Sequence, residues 1–212
     1  MPRKKKILSA AISEFVADGN FFSGDVSGCG KAFTLEWEGG GSRLEIGNDT
    51  LLIRGAIQFL AGGGVIEIAS KCTVRGILRA DEGSTLRLGT RTNINRDSTI
   101  RACEGGLIEI GEGCLFSNVV VRNSDLHAIV DVATGQRINK SADISIGKHV
   151  WLGEDVYVYK GSIIGDGSII GARSVVLNQI AAGCIAVGVP ARAVRQGVVW
   201  HKSLNPDKWK LD

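Results

Sequence analysis

Residues Ile146–Ala181 read IGKHVW, LGEDVY, VYKGSI, IGDGSI, IGARSV and VLNQIA, six hexads without a break. The first positions are Ile146, Leu152, Val158, Ile164, Ile170 and Val176. The fifth are Val150, Val156, Ser162, Ser168, Ser174 and Ile180. Glycine holds the second position at 147, 153, 165 and 171. A period of six fits neither an amphipathic helix at 3.6 nor an alternating strand at 2. It predicts a solenoid of short strands and turns, each coil a triangle with three six-residue sides.

A looser form of the repeat lies upstream. Leu44–Gly47 (LEIG), Ile66–Ala69 (IEIA), Leu86–Gly89 (LRLG) and Ile108–Gly111 (IEIG) are alike, and Ile46, Ile68, Leu88 and Ile110 are spaced 22, 20 and 22. A regular coil needs about 18 residues, so each early coil carries extra residues at a corner. Gly62–Gly64, Gly83 and Gly105–Gly106 are the candidates. Thr50, Cys72, Thr92 and Cys114 take the fifth positions. From Ile110 to Ile146 the step is 36. It reads most simply as one coil plus an excursion over Asn123–Lys140, a stretch without an aliphatic hexad. A loop thrown out of a regular scaffold is a candidate functional element.

Composition agrees. Of 212 residues 44% are hydrophobic, enough for a core, and 29 are glycine against 3 proline, as many tight corners require. A net charge of +3 is too mild to argue for nucleic acid. No apolar run approaches the ~18 residues of a membrane span. Ser13, Glu14 and Asp18 interrupt the apolar stretch that a leader peptide would need. The basic start is expected to be a solvated tail, followed by a short amphipathic helix with Leu8, Ala11, Ile12, Phe15 and Val16 on one side. Five cysteines without a C-x-x-C pair suit reduced, structural thiols and a cytoplasmic protein. Residues 19–43 read as an irregular or β cap, 44–191 as the solenoid, and 192–212 as a helical cap and tail.

The hexads, the segment IGKHVWLG at Ile146–Gly153 and the ending GVPAR resemble the left-handed parallel β-helix acyltransferases that carry the hexapeptide-repeat signature. The SDLH loop followed by DVATGQRIN is most similar to the branch that O-acetylates bacterial surface polysaccharides, including sialic acid capsules. This resemblance implies an all-β triangular prism, homotrimeric assembly with sites in the clefts between prisms, acetyl-CoA as co-substrate, a glycan acceptor and no metal.

Acetyl transfer to a sugar hydroxyl requires the hydroxyl proton to leave during attack, and a neutral imidazole is the natural base. The histidines are His127, His149 and His201. The resemblance points to His127, in the excursion, as base, and His149 and His201 read as surface residues. Asp125, Asp131 or a backbone carbonyl would orient the imidazole. Trp151, at position six of its hexad, corresponds to the family's tryptophan beside the thioester; its indole N–H or a backbone N–H would meet the oxyanion. The pantetheine arm is expected along Gly153, Gly171, Ala172 and Ser174. Lys160, Arg192 and Arg195 would meet the phosphates, and Pro190 and Ala191 the adenine. Ala128 stands where many sugar acetyltransferases have proline, Val189 where asparagine is common, and Arg173 interrupts the usual GAGS. The rivals are N-acetylation of a nucleotide-linked amino sugar, a non-enzymatic scaffold, and a zinc lyase on the same prism. The last lacks the closely spaced histidine pair it needs.

Overall fold

The computed structural model describes residues 2–208. The chain opens with β1 (Lys4–Ile7) and α1 (Leu8–Ala17). The coils begin with β2 (Phe21–Gly24), β3 (Cys29–Trp37), β4 (Arg43–Ile46) and β5 (Leu51–Phe59). They continue with β6 (Val65–Ile68), β7 (Thr73–Ala80), β8 (Thr85–Leu88), β9 (Asn93–Ala102) and β10 (Leu107–Ile110). Next come β11 (Leu115–Ser117), β12 (Val120–Arg122), β13 (Ile144–Ile146), β14 (Trp151–Glu154), β15 (Tyr157–Tyr159) and β16 (Ile163–Ile164). The series closes with β17 (Ile169–Ile170), β18 (Val175–Val176), β19 (Gln179–Ile180), β20 (Cys184–Gly188) and β21 (Ala191–Gln196).

One side of the prism is an eight-stranded sheet in the order β19-β16-β13-β10-β8-β6-β4-β2, one strand per coil. The other sheet folds over a corner and supplies the two remaining sides. In the early coils each of its strands runs unbroken round that corner. In the later ones it is split, as in β11/β12, β14/β15 and β17/β18. All pairings between coils are parallel, and β10 pairs directly with β13, Ile110 opposite Ile146. The step of 36 is therefore one coil plus the excursion.

The period of six is a burial code. All six first positions and all six fifth positions of the hexads are buried, as are Ile46, Ile68, Leu88, Ile110, Thr50, Cys72, Thr92 and Cys114. Serine is accepted inside because each hydroxyl finds a partner. Ser162 Oγ donates to Val176 O at 3.1 Å and Ser168 Oγ to Ala181 O at 2.8 Å. The extra residues of the early coils do lie at corners, where Gly62, Gly63, Gly83 and Gly105 adopt positive φ.

Four expectations are corrected at the ends. Residues 19–43 form the first coil, β2 and β3 pairing in parallel with β4 and β5. The basic start is no solvated tail: β1 pairs antiparallel with β3, Lys5 meets Glu36 at 2.8 Å, and Lys4 meets Asp18 at 2.7 Å. In α1, Leu8, Ala11 and Phe15 enter the core, while Val16 is exposed. Phe15 packs edge-on to Trp37 at 5.8 Å and stacks on Phe59 at 5.7 Å, so the helix stoppers the open end of the prism. Beyond residue 191 a strand replaces the expected helix. β21 turns back on β20 in antiparallel register, satisfying the last coil's edge, and among the described residues beyond it only Pro206–Lys208 is helical, as a 3-10 turn. Residues 209–212 of that expected cap lie outside the described residues. Among the described residues no helix is long and apolar enough to cross a membrane.

Candidate active site

The excursion leaves the coil at Asn123, whose side chain replaces a missing strand partner. Its Oδ1 accepts from Cys103 N at 2.8 Å and its Nδ2 donates to Cys103 O at 3.0 Å. Beyond it the chain forms a small hairpin closed by Ile138 N–H to Ile129 O at 2.9 Å, with Asp131 capping its turn onto Thr134. His127 lies on the exposed limb before this hairpin.

Asn139, 7% exposed, organises that limb. Its Nδ2 donates to His127 O at 2.7 Å and to Asp125 Oδ2 at 2.9 Å. Its Oδ1 accepts from Ile129 N at 2.7 Å and Arg137 Nε at 3.1 Å. A carboxylate only accepts and a guanidinium only donates, which fixes the amide orientation. Lys160 Nζ reaches Asp125 Oδ2 at 2.5 Å and Asn139 O at 3.2 Å. Arg137 pairs with Glu104 at 2.9 Å, and Ser124 Oγ donates to the same carboxylate at 2.5 Å. The Lys160 ammonium, then the Asn139 amide, hold the Asp125 carboxyl below the usual range; Arg137, then Ser124, do so for Glu104.

Lys160, expected at the coenzyme phosphates, is thus an anchor of the His127 loop, its charge matched by Asp125. Neither Asp125 nor Asp131 hydrogen-bonds the His127 ring: Asp125 faces Asn139 and Lys160, and Asp131 faces Thr134.

Trp151 opens β14, 40% exposed. Across the sheet it is followed in register by Ile169, Ile185 and, on β21, Arg195. Arg192 stands opposite Val187. This is an apolar wall ending in exposed cations, with Pro190 exposed at the β20–β21 turn and Ala191 buried. Gly171 belongs to it, since a Cβ there would meet Val187 Cγ1 at 2.6 Å; a Cβ on Gly153 would meet Ala172 N at 2.8 Å. Ala172 is exposed. Ser174 is not part of the wall. It sits at a fifth position, is 1% exposed, and accepts Gly188 N–H at 3.0 Å.

Trp200 had no signal in its local sequence. It is 6% exposed and stacks on His149 with centroids 4.1 Å apart at 4°, its ring 5.8 Å from that of Trp151. Its Nε1–H donates to His149 O at 2.6 Å, and its carbonyl accepts from His149 Nε2 at 2.8 Å. A carbonyl cannot donate, so His149 carries its proton on Nε2. His149 is therefore a clamp for the C-terminal segment. A concavity of 870 Å³ runs along the eight-stranded sheet past Glu45, Glu67, Arg87, Glu109 and Lys148, and neither His127 nor Trp151 lines it.

His127 stands at the corner before β13 and Trp151 at the corner after it. One side of the prism, roughly 15–20 Å for six residues, lies between those two corners.

A parallel triangular prism interrupted by one histidine-bearing loop defines a β-solenoid of the hexapeptide type. The family model described as bacterial transferase hexapeptide (six repeats) matches residues 143–178. Among curated relatives, a polysialic acid O-acetyltransferase of Escherichia coli O1:K1 / APEC is 32% identical over 139 residues, 65% of this chain and 45% of the relative. One from Neisseria meningitidis is 30% identical over 125 residues, 58% of each. The chain spans about half the length of the curated relatives it matches. Two solved structures superpose along most of both chains. The polySia-specific acetyltransferase NeuO has TM-score 0.81 at 29% identity, covering 91% of this chain and 88% of its own. The polysialic acid O-acetyltransferase OatWY has 0.82 at 26%, covering 89% and 90%. The chain thus carries a bacterial-transferase hexapeptide segment over residues 143–178, and its fold matches the left-handed β-helix of these two neighbours.

Proposed function

We propose that the protein is an acetyl-CoA-dependent O-acetyltransferase acting on an anionic bacterial surface glycan, with a sialic acid polymer the acceptor its relatives suggest. The observation that carries this reading is the His127 limb, held by Asn139, Asp125 and Lys160 on an otherwise regular prism. His127 takes the proton of the acceptor hydroxyl as its oxygen attacks the thioester carbonyl carbon. The tetrahedral intermediate collapses, the C–S bond breaks, and coenzyme A leaves as a thiolate that takes the proton back from the imidazolium. No covalent enzyme intermediate is required. Acetyl-CoA would lie on the wall of Trp151, Ile169 and Ile185, with its phosphates at Arg192 and Arg195.

The face between His127 and Trp151 supports a site made by two chains, His127 from one and Trp151 from its neighbour, in a homotrimer of cytoplasmic protein. Activity with acetyl-CoA and polysialic acid is expected to fall by about 10²–10⁴ in His127→Ala; turnover at the unmodified rate would remove His127 as base. Co-assembly of His127→Ala with Trp151→Ala restores one intact site per mixed trimer, about a quarter of full activity for random mixing. No recovery would place both residues in one chain's site or outside the chemistry.

A further inference from the structure

The folded-over sheet carries an unusual column of side chains. Parallel register places Glu36, Gln58, Arg79, Arg101, Arg122 and Tyr159 opposite one another on successive coils, all on the outward face. Three consecutive members are arginine, about 4.8 Å apart from strand to strand. Like charges in adjacent register repel, so such a column needs compensation.

Compensation is supplied almost everywhere else. Among the described residues of the coils, Arg43, Arg54, Arg87, Arg91, Arg96, Arg137 and Arg173 each have a carboxylate within 4 Å. In the column, Arg79 has Asp81 at 2.6 Å and Glu36 is taken by Arg3 and Lys5. Arg101 and Arg122 have no carboxylate partner among the described residues. Arg101 Nε is buried without a hydrogen-bond partner. The Arg122 guanidinium lies over the Tyr159 ring, 4.7 Å from its centroid, and Tyr157 stands 6.1 Å further on. Immediately after Arg122 the chain enters the His127 limb.

We propose that Arg101 and Arg122, with Arg79 below and Tyr157 and Tyr159 above, form an acceptor track that reads consecutive carboxylates of an anionic glycan and leads it to His127. Planar guanidiniums in fixed register suit carboxylates through paired hydrogen bonds, and the tyrosine faces suit sugar rings. The track runs along the prism axis, so affinity rises with polymer length and falls with salt. This inference rests on the acetyl-transfer reading for the choice of glycan, but its test does not require turnover.

Calorimetry on the full protein without acetyl-CoA, titrated with polysialic acid, reads the track directly. Arg101→Gln/Arg122→Gln is expected to weaken binding at least tenfold. Polysialic acid with its carboxyls reduced to alcohols is expected to bind weakly and equally to both proteins. Arg43→Gln/Arg87→Gln, an equal loss of charge on the eight-stranded sheet, is expected to bind as the unmodified protein does. In turnover, the double variant raises the acceptor KM and leaves the acetyl-CoA KM unchanged. Unchanged polymer binding in the double variant would overturn the track. So would an equal loss with the carboxyl-reduced polymer, or a changed oligomeric mass by sedimentation, which would make the column a subunit contact. Tight polymer binding without acetylation would leave the track standing and sink the transferase reading instead.

Discussion

Asn139→Ala removes one side chain and cuts four hydrogen bonds around His127: to His127 O, Asp125 Oδ2, Ile129 N and Arg137 Nε. At about 1 kcal/mol net per bond the sum is about 4 kcal/mol. Asp125 and Arg137 keep other partners in Lys160 and Glu104, and both can be rehydrated, so about 2–3 kcal/mol is the better figure. That corresponds to a local opening about 30- to 150-fold more frequent. Hydrogen exchange of the Ile129 and Ile138 amides is expected to accelerate by that factor. The melting temperature should barely move, because Ile129, Val130, Val132 and Ile138 are already solvent-exposed. Turnover falls with the loop's order, while the KM for acetyl-CoA and the pH midpoint of activity stay put, since Asn139 acts through position. Unchanged exchange at Ile129 would refute the reasoning. Acceleration spread evenly through β13 and β15 would also refute it, because the limb would then be no separate unit.

Gly111→Ala sets a Cβ 2.6 Å from both C and O of Gly147, backbone that cannot step aside; a loss of about 1–3 kcal/mol is expected in urea unfolding, and an unshifted midpoint would contradict the coil spacing. Burial pushes the Cys103 thiol up to about 12 and the Cys114 thiol up to about 11. Cys72, Cys103, Cys114 and Cys184 are all buried, so a thiol reagent near pH 8 should leave them unlabelled until the protein unfolds, and rapid labelling of any of the four would be inconsistent with the core described. The depressed carboxyls of Asp125 and Glu104 stabilise the limb above the unfolded carboxylate pKa and lose that effect as pH falls through their folded values. Amide resonances of Leu126 and Ile129 should therefore report loosening only below about pH 4, and loosening near neutrality would point to a different anchor.

Much of this architecture is legible in the chain because its rule is local. Inward positions recur every six residues and accept only small or aliphatic side chains, so the hexads declare which residues are buried. The same rule places Ser174 inside, its hydroxyl turned to Gly188 N–H rather than toward the Trp151 wall. The first coil is obscure because β3 runs from Cys29 to Trp37 round a corner, without the short aliphatic-glycine signature. Asn139 looks like any polar loop residue until four partners converge on it. Trp200 lies 49 positions beyond Trp151, and only the return of the C-terminal segment brings the two rings together. The C-terminal strand is hard to read from the chain because alternating Ala191, Ala193 and Arg195 carry little periodic signal of either kind.

The antiparallel strands β1 and β21 set how far the prism can grow. A parallel solenoid is its own template: every coil offers the next the same edge, and identical coils could add without limit. Here the folded-over sheet is bounded on one side by the lysine-rich β1 and on the other by the arginine-bearing β21, both running against the grain. A strand arriving at either boundary meets the wrong polarity and a row of cations. The molecule therefore has a fixed length rather than a repeating one. Anyone wishing to lengthen it would insert between these boundaries, one whole coil at a time, leaving the His127 limb and the Trp151 wall at their present corners.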